Sequence, residues 1–250
     1  MDLSVLIGMI GAVTSLSTGN ILEGGNPLGL LHFTSFLIVI PTAILSAVTA
    51  TESNFVKAAF KEFKIIFKKS PINFEARIDE LVEYAITVKK QGVLALEKDV
   101  QNIDHAFLKE ALSMVIDGSK EEQIEEQLEP VIEATEEYYH GASHFWLLAG
   151  ETCPTIGLVG AVMGLILALQ QLDNPAAMAA GIAGAFTATV MGIGGAYIFI
   201  GPWGQKMKAK SHLIIKEQHL ILSACKGMAR GDAPGELKLK LSKMITPMPL

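Results

Sequence analysis

A chain of 250 residues with a mean hydropathy of +0.39 and only 18% charged side chains is too apolar for an ordinary soluble domain. Its net charge of −6 hides an asymmetry: all 20 Lys and Arg fall within residues 51–145 and 204–250, and the rest keeps only Asp2, Glu23, Glu151 and Asp173 as charged groups. Two cysteines, Cys153 and Cys225, exclude a disulfide framework and are expected to be small buried side chains.

The N-terminus lacks the positive region of a signal peptide, so the apolar run Leu3 to Gly19 is expected to be retained as a first membrane span. Asn20 to Pro27 is dense in turn formers and free of basic residues. A second run, Leu28 to about Val48, contains His32 and Pro41, and proline inside a span bends it at low cost where neighbouring helices satisfy the freed carbonyl. The two runs form an antiparallel pair.

Phe55, Ala59, Phe63, Ile66 and Phe67 then share a helical face, with Lys57, Lys61, Lys64, Lys68 and Lys69 interspersed. This is a basic amphipathic helix whose expected seat is the headgroup surface. After a break at Ser70-Pro71, helical patterns return at Ile78, Leu81, Val82, Ala85 and Ile86, then at Phe107, Leu108, Ala111, Leu112 and Val115, stopped by Asp117-Gly118. An acidic stretch from Glu121 to Glu137 leads to Phe145 and Trp146, interface aromatics at the start of a third span. One long helix is expected to run from the acidic stretch into that span.

The third span, Gly150 to about Leu172, carries Gly157, Gly160, Ala161, Gly164 and Ala168 at three- and four-residue spacing, a face that a neighbouring backbone can approach closely. Asp173-Asn174-Pro175 supplies an N-cap followed by proline at the first helical position, so a fourth span starts near Pro175 and is closed by Pro202-Trp203-Gly204. It too has a small-residue face, at Gly181, Gly184, Ala185, Ala188, Gly192, Gly195 and Ala196. The tail continues helically through Leu213, Ile214, Leu220, Ile221 and Leu222, breaks at Gly231 to Pro234, and ends in a short helix around Leu237 to Met244. The fold class is therefore all-α, a polytopic membrane protein with four transmembrane helices: 1–50 spans one and two, 51–144 a helical domain, 145–204 spans three and four, and 205–250 a tail. Because both short links lack Lys and Arg, the positive-inside rule puts the domain, the tail and both termini in the cytoplasm.

No nucleotide loop, zinc-protease helix or nucleophile elbow is present, so no enzyme and no nucleic-acid partner are expected. His140 and His144 at i, i+4 with Glu136 lack the further ligands a metal needs, and a solvated helix face is the expectation. Glu151 and Thr155 at one end of the third span, and Thr187 and Thr189 within the fourth, are polar groups that an ion path would use; a hydroxyl in a span also commonly bonds its own helix. No Asp or Glu lies in the middle of any span. A proton path would need a carboxylate from a partner.

The pattern as a whole resembles the MotA/PomA family of flagellar stator subunits. The resemblance is carried by Gly92-Val93-Leu94-Ala95-Leu96-Glu97, by Cys153 to Gly164, and by Leu172-Asp173-Asn174-Pro175 leading to Ile200-Gly201-Pro202. It implies an oligomeric ring of five copies in the bacterial inner membrane, in contact with lipid, around a MotB-type single-span partner whose aspartate binds the permeating ion. It puts the two mechanically important prolines at Pro154 and Pro202. It puts rotor-contacting charges at Lys89 and Glu97, with Lys90 able to share the first role, and makes the rotor partner a FliG-type switch-ring protein. Lysine stands where the family often has arginine, which keeps the charge and loses the planar fork. Sodium-driven members are similar but carry threonine at the position of Ala161; alanine offers no such ligand, so protons are the expected coupling ion, with Thr155 and Thr189 on the path and no other cofactor. The implied function is conversion of inward proton flow into ring rotation and torque. Rival readings are an ExbB/TolQ-type energiser with three spans, a self-contained channel or transporter, and a membrane scaffold.

Overall fold

The computed structural model describes residues 2–30, 32–68 and 72–246; Lys69 and the break expected at Ser70-Pro71 lie outside them. The described residues form helices and turns without a strand. Helix α1 spans Leu3–Leu22, capped by the Asp2 carboxylate, which accepts from the Ser4 N–H at 3.3 Å. It runs three residues beyond its expected end at Gly19 and stops at Gly24, whose φ is +81°. A 3-10 turn at Pro27–Leu30 leads to α2, Phe33–Ala50. The helix begins later than Leu28 because His32 is extended, with φ −97° and ψ 116°. Helix α3 is Ser53–Lys61, prolonged by a 3-10 segment at Glu62–Ile66. Then come α4 (Phe74–Gln91), a 3-10 turn (Val93–Leu96), α5 (Glu97–Gln101) and α6 (Ala106–Ile116).

Helix α7, Glu121–Leu169, is the single long helix expected from the acidic stretch into the third span. Helix α8 is Pro175–Gly194, with the Asn174 side chain accepting from the Ala177 N–H at 3.2 Å. A π-helical segment, Gly195–Ile200, joins it to α9 (Gly201–Arg230), and α10 is Pro234–Ile245. The closure expected at Pro202 does not occur. The Gly201 N–H donates instead to the Ala196 carbonyl, one residue further back than in an α-helix, and this wider turn seats the proline ring without ending the helix. Four described helices are long and apolar enough to cross a membrane: Leu3–Leu22, Phe33–Ala50, Glu121–Leu169 and the joined Pro175–Arg230.

The chain divides into two compact units, to both of which α7 and α9 contribute. The first is Met1–Ser70 with Tyr138–Lys210. Its core gathers Val39, Ala43 and Ala47 of α2, Ala58 and Ala59 of α3, and Phe145, Trp146 and Cys153 of α7. The apolar face of α3 turns toward the protein, with Ala58 and Ala59 buried. It packs under the aromatic shelf of Phe63, Trp146 and Trp203, where the Trp146 indole N–H donates to the Ala59 carbonyl at 3.2 Å. Burying that face against aromatic rings removes apolar area from water.

The second unit is Pro71–Glu137 with Ser211–Leu250. Its core includes Ile78, Leu81, Val82 and Ala85 of α4 with Phe107, Leu108, Ala111, Leu112 and Val115 of α6, all read from helical spacing. Ile124, Leu128 and Ile132, a stripe at four-residue spacing on the acidic helix, and Leu220, Ile221 and Cys225 of α9 complete it. Each fully buried Leu or Ile stabilises the unit by about 1.5–3 kcal/mol before ordering costs. Burial pushes the Cys225 thiol up to about 12, which makes it the inert residue expected.

Candidate functional site

The small-residue face of α7 meets the small-residue face of α8. A Cβ placed on Gly164 would lie 2.8 Å from the Ala185 nitrogen and 2.9 Å from the Gly181 carbonyl, and one on Gly157 would lie 2.9 Å from the Ala188 carbonyl. The seam continues to the next turns, where Gly192 approaches the Cys153 carbonyl and Gly150 approaches the Gly201 backbone. The two ridges are therefore consumed by each other inside one chain, and the wider surface left open on α7 includes an adjacent stripe, Glu151, Thr155, Leu158 and Val162, at three- and four-residue spacing. The stripe's only hydroxyl is Thr155 and its only carboxylate is Glu151.

Ala161 and Thr189 are half-buried beside this seam, and the Thr189 hydroxyl donates to the Ala185 carbonyl of its own helix at 3.3 Å. Among the described residues no hydrogen bond joins Thr155 to Thr189; what the fold brings together is their two helices. Thr187 is buried and its hydroxyl does two things, donating to the Gly184 carbonyl at 3.0 Å and lying 2.9 Å from the hydroxyl of Ser35 on α2. Ser35 was not singled out from sequence, because the apolar run that holds it also carries Thr34, Thr42, Ser46 and Thr49 and nothing in spacing sets it apart.

Pro154 sits inside α7 without breaking it. Two residues earlier the Thr152 hydroxyl donates to the Leu148 and Ala149 carbonyls at 3.1 and 3.0 Å, bonds of the kind that bend a helix. Pro202 lines a groove of about 630 Å³ with Gly150, Glu151, Tyr197, Gln205 and Lys206. Nearby, Lys206 and Lys210, one turn apart on α9, pair with the Asp2 carboxylate at 2.9 and 3.1 Å. Lys210 is buried and donates to the Ile65 and Ile66 carbonyls at 2.8 and 3.0 Å and to that of Lys68. Contacts with Ser4 and the two lysines hold the Asp2 carboxyl well below its ordinary value. The i, i+4 spacing of the lysines was legible in sequence; their common partner, more than 200 residues away, was not.

In the second unit, Lys89 and Lys90 close the last turn of α4 and Glu97 opens α5, so each charge sits where a helix dipole favours it. Gly92 lies between them with φ +85° and ψ 166°, a conformation open to glycine, and it turns the chain so that Leu96 is buried and Glu97 exposed. Lys89 is exposed, and its ammonium donates to the Gly231 carbonyl just beyond α9 at 2.9 Å. Lys90 is exposed and forms no hydrogen bond or ion pair among the described residues. His140 and His144 stack with ring centroids 6.1 Å apart, and the described residues hold no cluster of three or more His, Cys, Asp or Glu fit for a metal.

The geometry can be set beside known proteins. A sequence profile of the MotA/TolQ/ExbB proton channel family matches residues 99–219. Motility protein A of Helicobacter pylori is 53% identical over 247 residues, 99% of this chain and 96% of that protein. Motility protein A of Bacillus subtilis is 34% identical over 245 residues, 96% of this chain and 90% of that one. A solved C. jejuni MotAB structure superposes with a TM-score of 0.95 at 53% identity, covering 98% of this chain and 96% of that chain. The flagellar MotAB stator complex from Bacillus subtilis gives 0.88 at 32% identity, covering 97% and 96%.

Proposed function

This chain belongs to the MotA/TolQ/ExbB proton channel family and is a flagellar motor stator subunit of it, and we propose that it couples inward proton flow to rotation of a ring around a MotB-type partner. The observation that carries this reading is the open stripe of α7. The small-residue ridges are occupied within the chain, while the stripe beside them presents Thr155 between Glu151 and the apolar Leu158 and Val162, with no carboxylate between Glu151 and Asp173. Such a surface guides a proton only if a second chain brings the acid. The partner's aspartate would take up the proton, and loss of its charge would change its fit against α7 and α8, so that the ring steps by one subunit. Thr155 and Thr189 are the hydroxyls nearest such a path, and Ala161 leaves it without the further oxygen that would help strip water from sodium.

Pro154 and Pro202 remove a backbone donor from the apolar part of α7 and from the joined α8–α9 helix, and are where these helices would yield between steps. Both termini and the second unit would lie in the cytoplasm of a cell whose inner membrane holds the ring, five copies together. There Lys89, Lys90 and Glu97 would meet a FliG-type rotor protein through opposite charges. Full-length likeness to motility protein A, with four span-capable helices, favours this reading over an ExbB/TolQ-type energiser.

Swimming of Pro154→Leu and Glu97→Lys strains tests it. Both are expected to assemble stators and lose motility, and normal swimming in both would refute the mechanism. Swimming speed that tracks a protonophore and ignores sodium supports the proton assignment; a strict sodium requirement would overturn the part given to Ala161.

A further inference from the structure

The second unit holds a buried ionic node that neither the ion path nor the exposed charges use. Glu217, on α9, is 5% exposed. One carboxylate oxygen accepts from Arg77 Nε of α4 at 2.8 Å and the other lies 3.6 Å from His105 Nε2. Arg77 also pairs with Glu80, which accepts from the Tyr84 hydroxyl at 3.0 Å. His105 is the N-cap of α6, and because its Nδ1 accepts from the Leu108 N–H at 3.2 Å, the ring proton sits on Nε2 and faces Glu217. One carboxylate thus holds the beginnings of two other helices.

Apolar packing would bring these helices together without it. Leu220 and Ile221 of α9 share the core with Leu81 of α4 and Leu108 of α6. Apolar contact is non-directional, however, and tolerates sliding along a helix axis. A guanidinium–carboxylate hydrogen bond does not, because its energy depends on the angle and on the register of both helices. A carboxylate this buried is costly to desolvate and persists only when partnered, which makes the pairing a constraint on geometry more than a source of stability.

The other end of α4 is held as well, by Lys89 on the Gly231 carbonyl. From Arg77 to Lys89 is about 18 Å of helical rise and from Glu217 to Gly231 about 21 Å. Two nearly equal lengths tied at both ends run side by side in the same direction. Since α9 is covalently continuous with α8 through the π-helical segment, a shift of α9 along its axis carries the Lys89–Lys90 end of α4 with it.

We propose that Glu217 is a positioning residue for torque transfer: it sets the register of α4 on α9, and thereby the places of Lys89, Lys90 and, through the Gly92 turn, Glu97. This rests on the reading that those three charges meet the rotor. The test uses the full stator with its partner in swimming cells, measuring stator number by fluorescence, proton leak through the assembled complex, and torque per stator from a tethered bead. Glu217→Gln is nearly isosteric and leaves Arg77 its Glu80 partner. It is expected to keep stator number and proton leak while torque per stator falls below half. Glu217→Asp, which keeps the charge, is expected to recover most of it. Should the Gln variant fail to assemble, Arg77→Lys gives the same readout, since it keeps both charges and loses only the planar fork.

Wild-type torque in Glu217→Gln at normal stator number, or in Arg77→Lys where the Gln variant does not assemble, overturns the proposal, as does a torque loss that merely follows loss of stators or leak. Glu97→Lys is assayed alongside. If it abolishes torque while Glu217→Gln does not, the rotor reading stands and the positioning role falls; if it leaves torque intact, both fall.

Discussion

Gly164→Ala should loosen the pairing of α7 with α8 although it adds a single methyl group. The new Cβ would lie 2.8 Å from the Ala185 nitrogen, 2.9 Å from the Gly181 carbonyl oxygen and 3.0 Å from the Ala185 Cα. Comfortable contact needs roughly 3.5 Å, and all three neighbours are backbone atoms that no rotamer change can remove, so the helices must part by about half an ångström or more. Overpacking of this kind costs about 1–3 kcal/mol, and the better helix propensity of alanine returns at most ~1 kcal/mol, which leaves a net loss of about 1–2 kcal/mol. Gly195→Ala is the control. Its Cβ would meet only the Ile40 Cδ1 at 2.7 Å and the Cys153 sulfur at 3.8 Å, and the first of these is the free end of a flexible side chain. The assay is thermal unfolding of the detergent-purified complex with its partner, followed by size-exclusion. Gly164→Ala is expected to melt several degrees lower and Gly195→Ala to match the parent. Equal melting of Gly164→Ala and the parent would show that the seam is looser than its backbone contacts state.

Other perturbations follow the same logic. Thr187→Val removes a hydroxyl that reaches both Ser35 and the Gly184 carbonyl, and should cost about 0.6–2 kcal/mol in the same melting assay, with Thr187→Ser near the parent. Lys210→Met strips the ammonium from the Ile65 and Ile66 carbonyls and from Asp2, and should cost about 1–3 kcal/mol and expose residues 53–68 to protease, which limited proteolysis reads directly. Burial opposes the charge of Glu217, but its contacts with His105 and Arg77 outweigh that cost and hold the carboxyl below its ordinary value. With the folded value depressed, the stability from this group is fully present above the ordinary carboxylate range and is lost as pH falls through the lower folded value. Acid unfolding of the second unit, followed by circular dichroism, should therefore become less steep in Glu217→Gln, and an unchanged profile would remove the group from the acid response.

Much of the architecture was legible because its signals are local. Of ten apolar positions read from spacing in α4 and α6, nine are buried and Ile86 is partly buried, and the Asn174-Pro175 start of α8 is the cap expected. The reading failed where local chemistry had two outcomes. Proline at 202 reads as a stop, yet a π-helical turn absorbed the missing donor and the helix continued into α9. A basic amphipathic segment reads as a headgroup helix, and its spacing could not show that Phe63 on its apolar face packs against Trp146 and Trp203. The candidate site residues were named from motifs, and the structure gives their places: Thr155 exposed on α7, Pro154 inside the same helix and Glu97 at the start of α5. The buried lone acid Glu217, within Leu213 to Leu222, was there to be noticed and was passed over.

Composition, charge asymmetry and the three- and four-residue spacing of small side chains were enough to determine that this chain crosses a membrane with ridges made for close helix contact. They could not determine which backbone each ridge meets, because a glycine stripe is complementary to any other glycine stripe and carries no address. Tertiary structure decided that α7 and α8 satisfy each other. That choice left the Glu151, Thr155, Leu158 and Val162 stripe exposed, and the fold brought Lys210 to Asp2 and Arg77 to Glu217 across separations at which spacing carries no information. Close packing and buried charge pairs depend on atoms meeting in space, whereas periodicity reports only what one helix presents.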